Sequence, residues 1–251
     1  MIRWSHGLCY KQGSAAFMIF FKNLFLLCVV VLLSGCAGTY RTYAEMFELA
    51  FTPATDAALP FSELTNTNPD YLYVRLGEQP RAVMGLLFIE QAQYKWTSAN
   101  NVVLVTEQGR IVRSLGLPND LLHTSNRIAD PIKAKRFDDF EWTRQLDWSA
   151  GEFGYTVTST FTEQTGETLT FFGQQIKVKK VIETLRYDNP SSYLRFDGLW
   201  QNVFWFDETS GKLLQSQQQL APGTPAYEIV FISEVARQLR QSGVQIAGDA
   251  I

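Results

Sequence analysis

From Tyr71 to Ser233 the chain breaks into short apolar or alternating segments, separated by turn residues roughly every ten positions. That rhythm constrains the fold most, because period-two alternation between close turns is the pattern of strands in an antiparallel sheet. Tyr71–Leu76 alternates with aromatic and β-branched residues, and Gly77 to Pro80 turns the chain. Ala82 to Ile89 is nearly continuous in apolar residues, which predicts a strand covered on both faces. Gln93–Ser98 carries Tyr94 and Trp96, and Asn100-Asn101 is a turn signal. Val102–Thr106, a turn at Glu107-Gln108-Gly109 and Ile111–Leu115 complete an expected five-strand meander.

Pro118 to Phe137 reads as the main irregular stretch, with Asn119-Asp120 and Asp130-Pro131 as breakers. Lys133, Lys135 and Arg136 form a small basic cluster there, read as a solvated loop. Strands resume at Phe140–Trp148. Tyr155, Val157 and Phe161 then alternate with Thr156, Thr158, Thr160 and Thr162, the pattern of a half-exposed strand or of a polar strip touching sugar. Thr165-Gly166 is read as a turn into Glu167–Phe172. Ile176 and Val178 fall out of phase with Val181, Leu185 and Tyr187, which predicts a bulge near Lys179-Lys180. Leu199–Phe206 is strongly aromatic, Glu208–Gly211 is a hairpin turn, and Lys212–Leu220 returns. A last strand, Ala226–Ser233, leads to a short helix at Glu234–Arg240 and a loose end at Ser242–Ile251. Tyr40–Phe51 is a further short helix, striped by Tyr43, Met46, Phe47 and Ala50 and ended at Pro53. The expected fold is mostly β: a large antiparallel sheet curled on itself, or a sandwich, of about a dozen strands with one or two short helices.

The first 35 residues are of another kind. They hold Arg3, Lys11 and Lys22 and no acidic residue, then an apolar run from Leu24 to Leu33, then Ser34 and Gly35. A bilayer-crossing helix needs about 20 apolar residues; a positive start, a shorter apolar middle and a small-residue exit describe a secretory signal. Met18 to Gly35 is already a complete signal, so Met18 is an alternative start. Leu33-Ser34-Gly35-Cys36 resembles a bacterial lipobox, which implies cleavage before Cys36 and lipid on its sulfur and amino group. Several acyl chains make a stable anchor where one is marginal. In lipoproteins of this kind an aspartate after the cysteine marks inner-membrane retention; Ala37 stands here, which points to the outer membrane. Residues 36–251 are expected to form a single mature domain.

Removing Arg3, Lys11 and Lys22 from the 22 Lys and Arg leaves 19 against 25 acidic residues. An acidic domain is poorly suited to nucleic acid, whose affinity rests on cations meeting phosphates. Of the three cysteines, Cys9 and Cys28 go with the signal and Cys36 is spent on lipid, so no disulfide and no thiol nucleophile is expected. His6 leaves too, and His123, in a loop-like stretch, is the single histidine remaining. A multi-histidine zinc site is thereby ruled out. No phosphate loop or cofactor fingerprint is present, and no cofactor or metal is expected. Carboxylates remain for a glycosidase-like acid pair; Asp138, Asp139 and Glu141 are close in sequence but read as a charged loop.

Two longer stretches are distinctive: Leu104-Val105-Thr106-Glu107-Gln108-Gly109-Arg110-Ile111-Val112-Arg113-Ser114-Leu115-Gly116-Leu117-Pro118, and Asn202-Val203-Phe204-Trp205-Phe206-Asp207-Glu208-Thr209-Ser210-Gly211-Lys212-Leu213 continuing through Ser216 and Gln218 to Pro222. With the lipobox, they resemble the YjbF family of outer-membrane lipoproteins, the group 4 capsule lipoproteins, from about Leu33 to Ser233. The resemblance implies a non-catalytic accessory of capsule or exopolysaccharide secretion, anchored in the outer membrane and facing the periplasm. It also implies partnership with a YjbH-type outer-membrane β-barrel and a YjbG-type periplasmic protein. On the residues themselves, Gly109 suits a turn between two strands, and Gly116 and Pro118 the exit from the second. Arg110 and Arg113 can pair with acids or grip an acidic glycan. Trp200, Phe204, Trp205 and Phe206 are core by default; where exposed, they offer flat apolar faces to sugar rings or protein partners. Two alternatives stand beside the accessory role: a carbohydrate-binding module that contacts the polymer directly, and a carboxylate-dependent hydrolase or lyase.

Overall fold

A computed structural model of the chain describes Lys22, residues 55–66, 69–137, 140–188 and 198–244, and Ile246. The chain divides into two units, 1–54 and 55–251. The signal segment, the lipobox at Leu33, Ser34, Gly35 and Cys36, the Tyr40–Phe51 helix, Asp138 and Asp139 lie outside the described residues.

The second unit is one twelve-stranded antiparallel sheet. Its strands are β1 (Tyr71–Leu76), β2 (Ala82–Glu90), β3 (Gln93–Ser98), β4 (Val103–Glu107), β5 (Arg110–Leu115), β6 (Leu121–Thr124), β7 (Trp142–Trp148), β8 (Glu152–Phe171), β9 (Gln174–Tyr187), β10 (Leu199–Asp207), β11 (Leu213–Gln218) and β12 (Tyr227–Val230). Three short α-helices accompany them: α1 (Phe61–Asn66), α2 (Pro131–Ala134) and α3 (Ile232–Gln241). The order across the sheet is β5-β4-β3-β2-β1-β12-β11-β10-β9-β8-β7-β6. The sheet curls until it is nearly closed into a barrel, so the sandwich alternative falls away. Side chains bridge its two edges. Thr124 Oγ1 on β6 donates to the Val112 carbonyl on β5 at 3.1 Å, and the Leu121 amide donates to Ser114 Oγ at 2.9 Å. Covering both edges in this way removes an open template for aggregation.

Alternation along the strands fills the inside with Leu72, Met84, Trp96, Leu104, Leu146, Val157, Leu185 and Ile229. A second apolar layer forms from the opposite faces of β1, β11 and β12, where Tyr73, Leu214 and Val230 meet α1 and α3. Helix α3 presents Ile232, Val235, Ala236 and Leu239 to it, the i, i+3, i+4, i+7 stripe of an amphipathic helix.

Several expectations are corrected. The Ala82–Ile89 run is not covered throughout: Leu87, Phe88 and Ile89 are each more than half exposed. Strand β1 pairs with β2 only as far as Tyr71↔Gly85, so beyond it β2 continues with β3 as its one strand neighbour. No turn forms at Thr165-Gly166. Strand β8 runs straight through, and the register slips by one residue between Gln164↔Lys180 and Glu167↔Val178, with Gly166 at φ +87°. The irregularity therefore lies opposite Lys179, with the extra residue on β8. The phase change along β9 has another cause: Val178 joins the outer layer while Val181 and Leu185 pack on the barrel's inner side. The turn itself is at Phe172-Gly173. Beyond the β7 contact at Ser159 and the β10 contact at Val178, β8 and β9 form a two-stranded arm that returns to the body by setting Phe172 against Phe61 of α1, edge to face at 5.2 Å.

The stretch from Pro118 to Phe137 holds β6, a 3-10 turn at Arg127–Ala129 and α2, and His123 sits exposed on β6 instead of in a loop. Helix α1 lies in the Asn- and Thr-rich segment before Asp70. The final strand is shorter than expected, and α3 begins two residues earlier. Ile246, near the end read as loose, packs against the outer layer.

Candidate functional site

Two places gather chemistry. One is a cluster of four charges inside the barrel. Strand β5 begins directly after Gln108 (φ +48°) and Gly109 (φ +89°), the two positive φ values of a type I′ hairpin turn. The turn directs Arg110 inward, where it is 2% exposed. Its guanidinium grips Asp130 as a fork, Nε to Oδ2 at 2.6 Å and Nη2 to Oδ1 at 3.1 Å, and Nη1 donates to Glu183 Oε2 at 2.7 Å. Asp130 also caps α2, accepting from the Ile132 amide at 2.9 Å. Arg144 on β7 sets Nη2 3.2 Å from Glu183 Oε1 and donates from Nη1 to Ser159 Oγ at 2.7 Å. Asn202 Nδ2 adds a hydrogen bond to Glu183 Oε2 at 3.1 Å. Both guanidiniums lie over the Trp142 ring, at 4.6 and 4.0 Å from its centroid.

Burial alone would raise the Glu183 carboxyl, but the charges of Arg110 and Arg144 outweigh it and hold the group at about 2. Burial pulls Arg144 down, to about 10, still charged at neutral pH; the same effect on Arg110 is overcome by Asp130 and Glu183, which raise it. Two cations and two anions cancel, and each oxygen of Glu183 faces a guanidinium. Such a closed network ties β5, α2, β7, β9 and β10 together. Held at about 2, the Glu183 carboxyl has no proton to give up near neutral pH.

The other place is a cavity of about 350 Å³ where the β4–β5 and β10–β11 turns meet α2, α3 and the start of β1. That is a size suited to a small organic ligand. Tyr94 and Trp96, two apart on β3 and so on one face of it, line the cavity with rings 13° from parallel and 6.1 Å between centroids. Trp96 is fixed by donating Nε1–H to Thr106 Oγ1 at 3.0 Å. On the opposite wall Arg237 of α3 reaches Asp70 with Nη1 at 2.5 Å and Nη2 at 3.1 Å, and Glu234 with Nη2 at 2.8 Å. Glu234 also accepts from Lys212 Nζ at 2.6 Å. Its partial burial works upward, yet hydrogen bonds from Lys212 and Arg237 hold it below the usual carboxylate range. A second cavity of about 370 Å³ adjoins the first, sharing Lys135, Phe206 and Gly211. Lys135, at the C-terminal end of α2 with φ +51°, donates Nζ–H to the Gly211 carbonyl at 2.7 Å where the two meet.

The four residues singled out in the sequence as glycan or partner contacts part company. Arg110 and Trp200 are buried inside the barrel, out of reach of a polymer outside it. Arg113 is exposed on β5. Trp205 is half-buried on the barrel's outer side and donates Nε1–H to Glu167 Oε2 at 3.0 Å. The basic cluster does not act as a unit: Lys133 lies 3.7 Å from Glu107, whereas Lys135 turns to Gly211. Glu141, exposed, lies 3.8 Å from Arg186. Sequence reasoning missed Asp130, Arg144, Glu183, Tyr94 and Arg237 as site residues. Arg144 and Glu183 did carry a signal, since each occupies an inward phase between apolar residues: Trp142 and Leu146 for one, Val181 and Leu185 for the other. Among the described residues no group of His, Cys, Asp and Glu could hold a metal ion.

The family model described as group 4 capsule polysaccharide lipoprotein gfcB, YjbF matches residues 44–232. The uncharacterized lipoprotein GfcB of Escherichia coli K12 is 30% identical over 215 residues, covering 84% of this chain and 98% of the relative. The uncharacterized lipoprotein YjbF of the same strain is 26% identical over 203 residues, covering 79% and 92%. Among solved structures, the hypothetical lipoprotein YmcC of Escherichia coli K12 superposes with a TM-score of 0.60 at 32% identity, covering 68% of this chain and 87% of that one.

Proposed function

The chain belongs to the YjbF family of group 4 capsule polysaccharide lipoproteins, and from that premise we propose that it is a lipid-anchored, non-catalytic accessory of capsule or exopolysaccharide secretion. In this reading Cys36 is lipidated after cleavage at Leu33-Ser34-Gly35, and the mature domain, residues 36–251, hangs from the outer membrane into the periplasm. A YjbH-like outer-membrane barrel and a YjbG-like periplasmic protein are its partners, with Arg113 and Trp205 as surfaces open to them.

The observation that carries the non-catalytic part is the state of the acids in the cavity lined by Tyr94 and Trp96. A glycosidase needs one carboxyl with a raised affinity for its proton. Glu234 is instead held ionised by Lys212 and Arg237, and Asp70 is engaged by both amino groups of the Arg237 fork. A wall of fixed ion pairs holds a ligand in place; it does not supply a proton.

The test is to label cells with a palmitate analogue, wild type beside Cys36→Ala, and to isolate the labelled protein from outer membranes in mild detergent. Label on the wild type alone, with a YjbH-like barrel co-purifying, is the expected result. An unlabelled wild type, or a labelled protein that comes away alone, contradicts the anchor or the partnership respectively.

A further inference from the structure

We propose that the two adjoining cavities form one trough that binds a hydroxyl-rich oligosaccharide of more than one sugar unit, with Tyr94, backed by the buried Trp96, as its stacking platform and Lys135 as a donor where the cavities meet. This rests on the polysaccharide reading above and gives it a site.

The shape comes first. The cavities of about 350 and 370 Å³ share Lys135, Phe206 and Gly211, so they lie side by side and together offer room for more than one sugar unit. The floor is next. Tyr94, half-buried, stacks on the buried Trp96 ring, which holds its own ring steady and leaves it one apolar face for the C–H face of a sugar ring to cover without burying its hydroxyls. The walls decide the ligand class. Arg237, Asp70, Glu234 and Lys212 neutralise one another, so this wall offers fixed hydrogen-bonding groups with little net field. A phosphate ligand asks for several uncompensated cations, where this cavity sets Lys135 alone beside the paired wall, and an aliphatic one asks for a dry lining. Lys135 uses one of its three N–H donors on the Gly211 carbonyl and keeps two for a sugar oxygen. Gln108, exposed at the β4–β5 turn, adds an amide that can both donate and accept.

The test uses oligosaccharide fragments from partial hydrolysis of the producing cells' own extracellular polysaccharide, titrated into the full-length lipoprotein in detergent by calorimetry. Binding is expected for the wild type. Tyr94→Ala is expected to weaken it by about tenfold, the scale of one lost aromatic stack. Lys135→Ala, at an exposed position that leaves the fold intact, should weaken it by several-fold, and His123→Ala should leave it unchanged. No heat with the wild type overturns the proposal, as does binding that survives both Tyr94→Ala and Lys135→Ala. Because lipidation and partner isolation are measured without any glycan, the accessory role can stand when this site fails.

Discussion

Arg110 and Glu183, 73 residues apart in sequence, meet inside the barrel with Nη1 and Oε2 2.7 Å apart. Strand β5 is at one edge of the sheet and β9 lies eight places along it, so this contact exists only when the sheet has curled. The pair is therefore a direct reporter of closure. Buried ion pairs add little net stability over well-packed apolar residues, but losing one partner strands the others. Arg110→Ala leaves both Asp130 and Glu183 short of their cation and is expected to cost about 3–5 kcal/mol, read as a lower urea midpoint. Arg110→Lys should recover only part of this, because an ammonium cannot fork onto Asp130 and still reach Glu183.

Acid sensitivity follows from the same cluster. Glu183 titrates at about 2 in the folded chain against 4.5 unfolded. Above 4.5 both states are ionised and its contribution is whole. As pH falls from 4.5 toward 2 the unfolded state takes up the proton first, and the contribution is lost. Glu183→Gln should start less stable at neutral pH and lose less between pH 4.5 and 2 than the wild type. An unchanged slope in that window would show that the carboxylate is not held by the two arginines.

Gly109 has a backbone reason and a packing reason to be glycine. Its φ is +89°, and a Cβ there would stand 2.0 Å from Leu213 Cδ2. Gly109→Ala should cost about 1–3 kcal/mol for the backbone alone, with a further penalty as Leu213 moves. Thermal unfolding measures it. The neighbouring Gln218 makes the position more sensitive, since its Nε2 donates to the Gly109 carbonyl at 2.8 Å.

The β8–β9 arm is tied to the body through Phe172 and Phe61. Phe61→Ala should raise amide exchange over residues 163–177 while the barrel amides keep their protection, the behaviour of a local opening. Uniform loss of protection would mean that the arm and barrel unfold as one unit.

Much of the fold was legible because period-two alternation survives wherever a strand has one wet face: β3 and β7 lie within two residues of where the pattern put them. It failed where both faces are used differently along one strand. Val178 and Val181 look out of phase because one serves the outer layer and the other the inner. Gly166 looks like a turn because a bulge and a turn both want positive φ. The buried ion cluster was half visible. Arg110 was marked as a cation that could pair with acids, but its partners Asp130 and Glu183 are brought to it by closure, which no local pattern encodes. The trough was hidden for the same reason, since Tyr94, Lys135 and Arg237 are far apart in sequence.

We infer that the chain helps a polysaccharide leave the cell without altering its chemistry. The direct measurement is to delete its gene and quantify surface and periplasmic polysaccharide, with linkage analysis of each pool. Less polymer at the surface, more retained in the periplasm, and the same sugars and linkages in both are expected. Normal surface polymer, or polymer with changed linkages or chain ends, would contradict it.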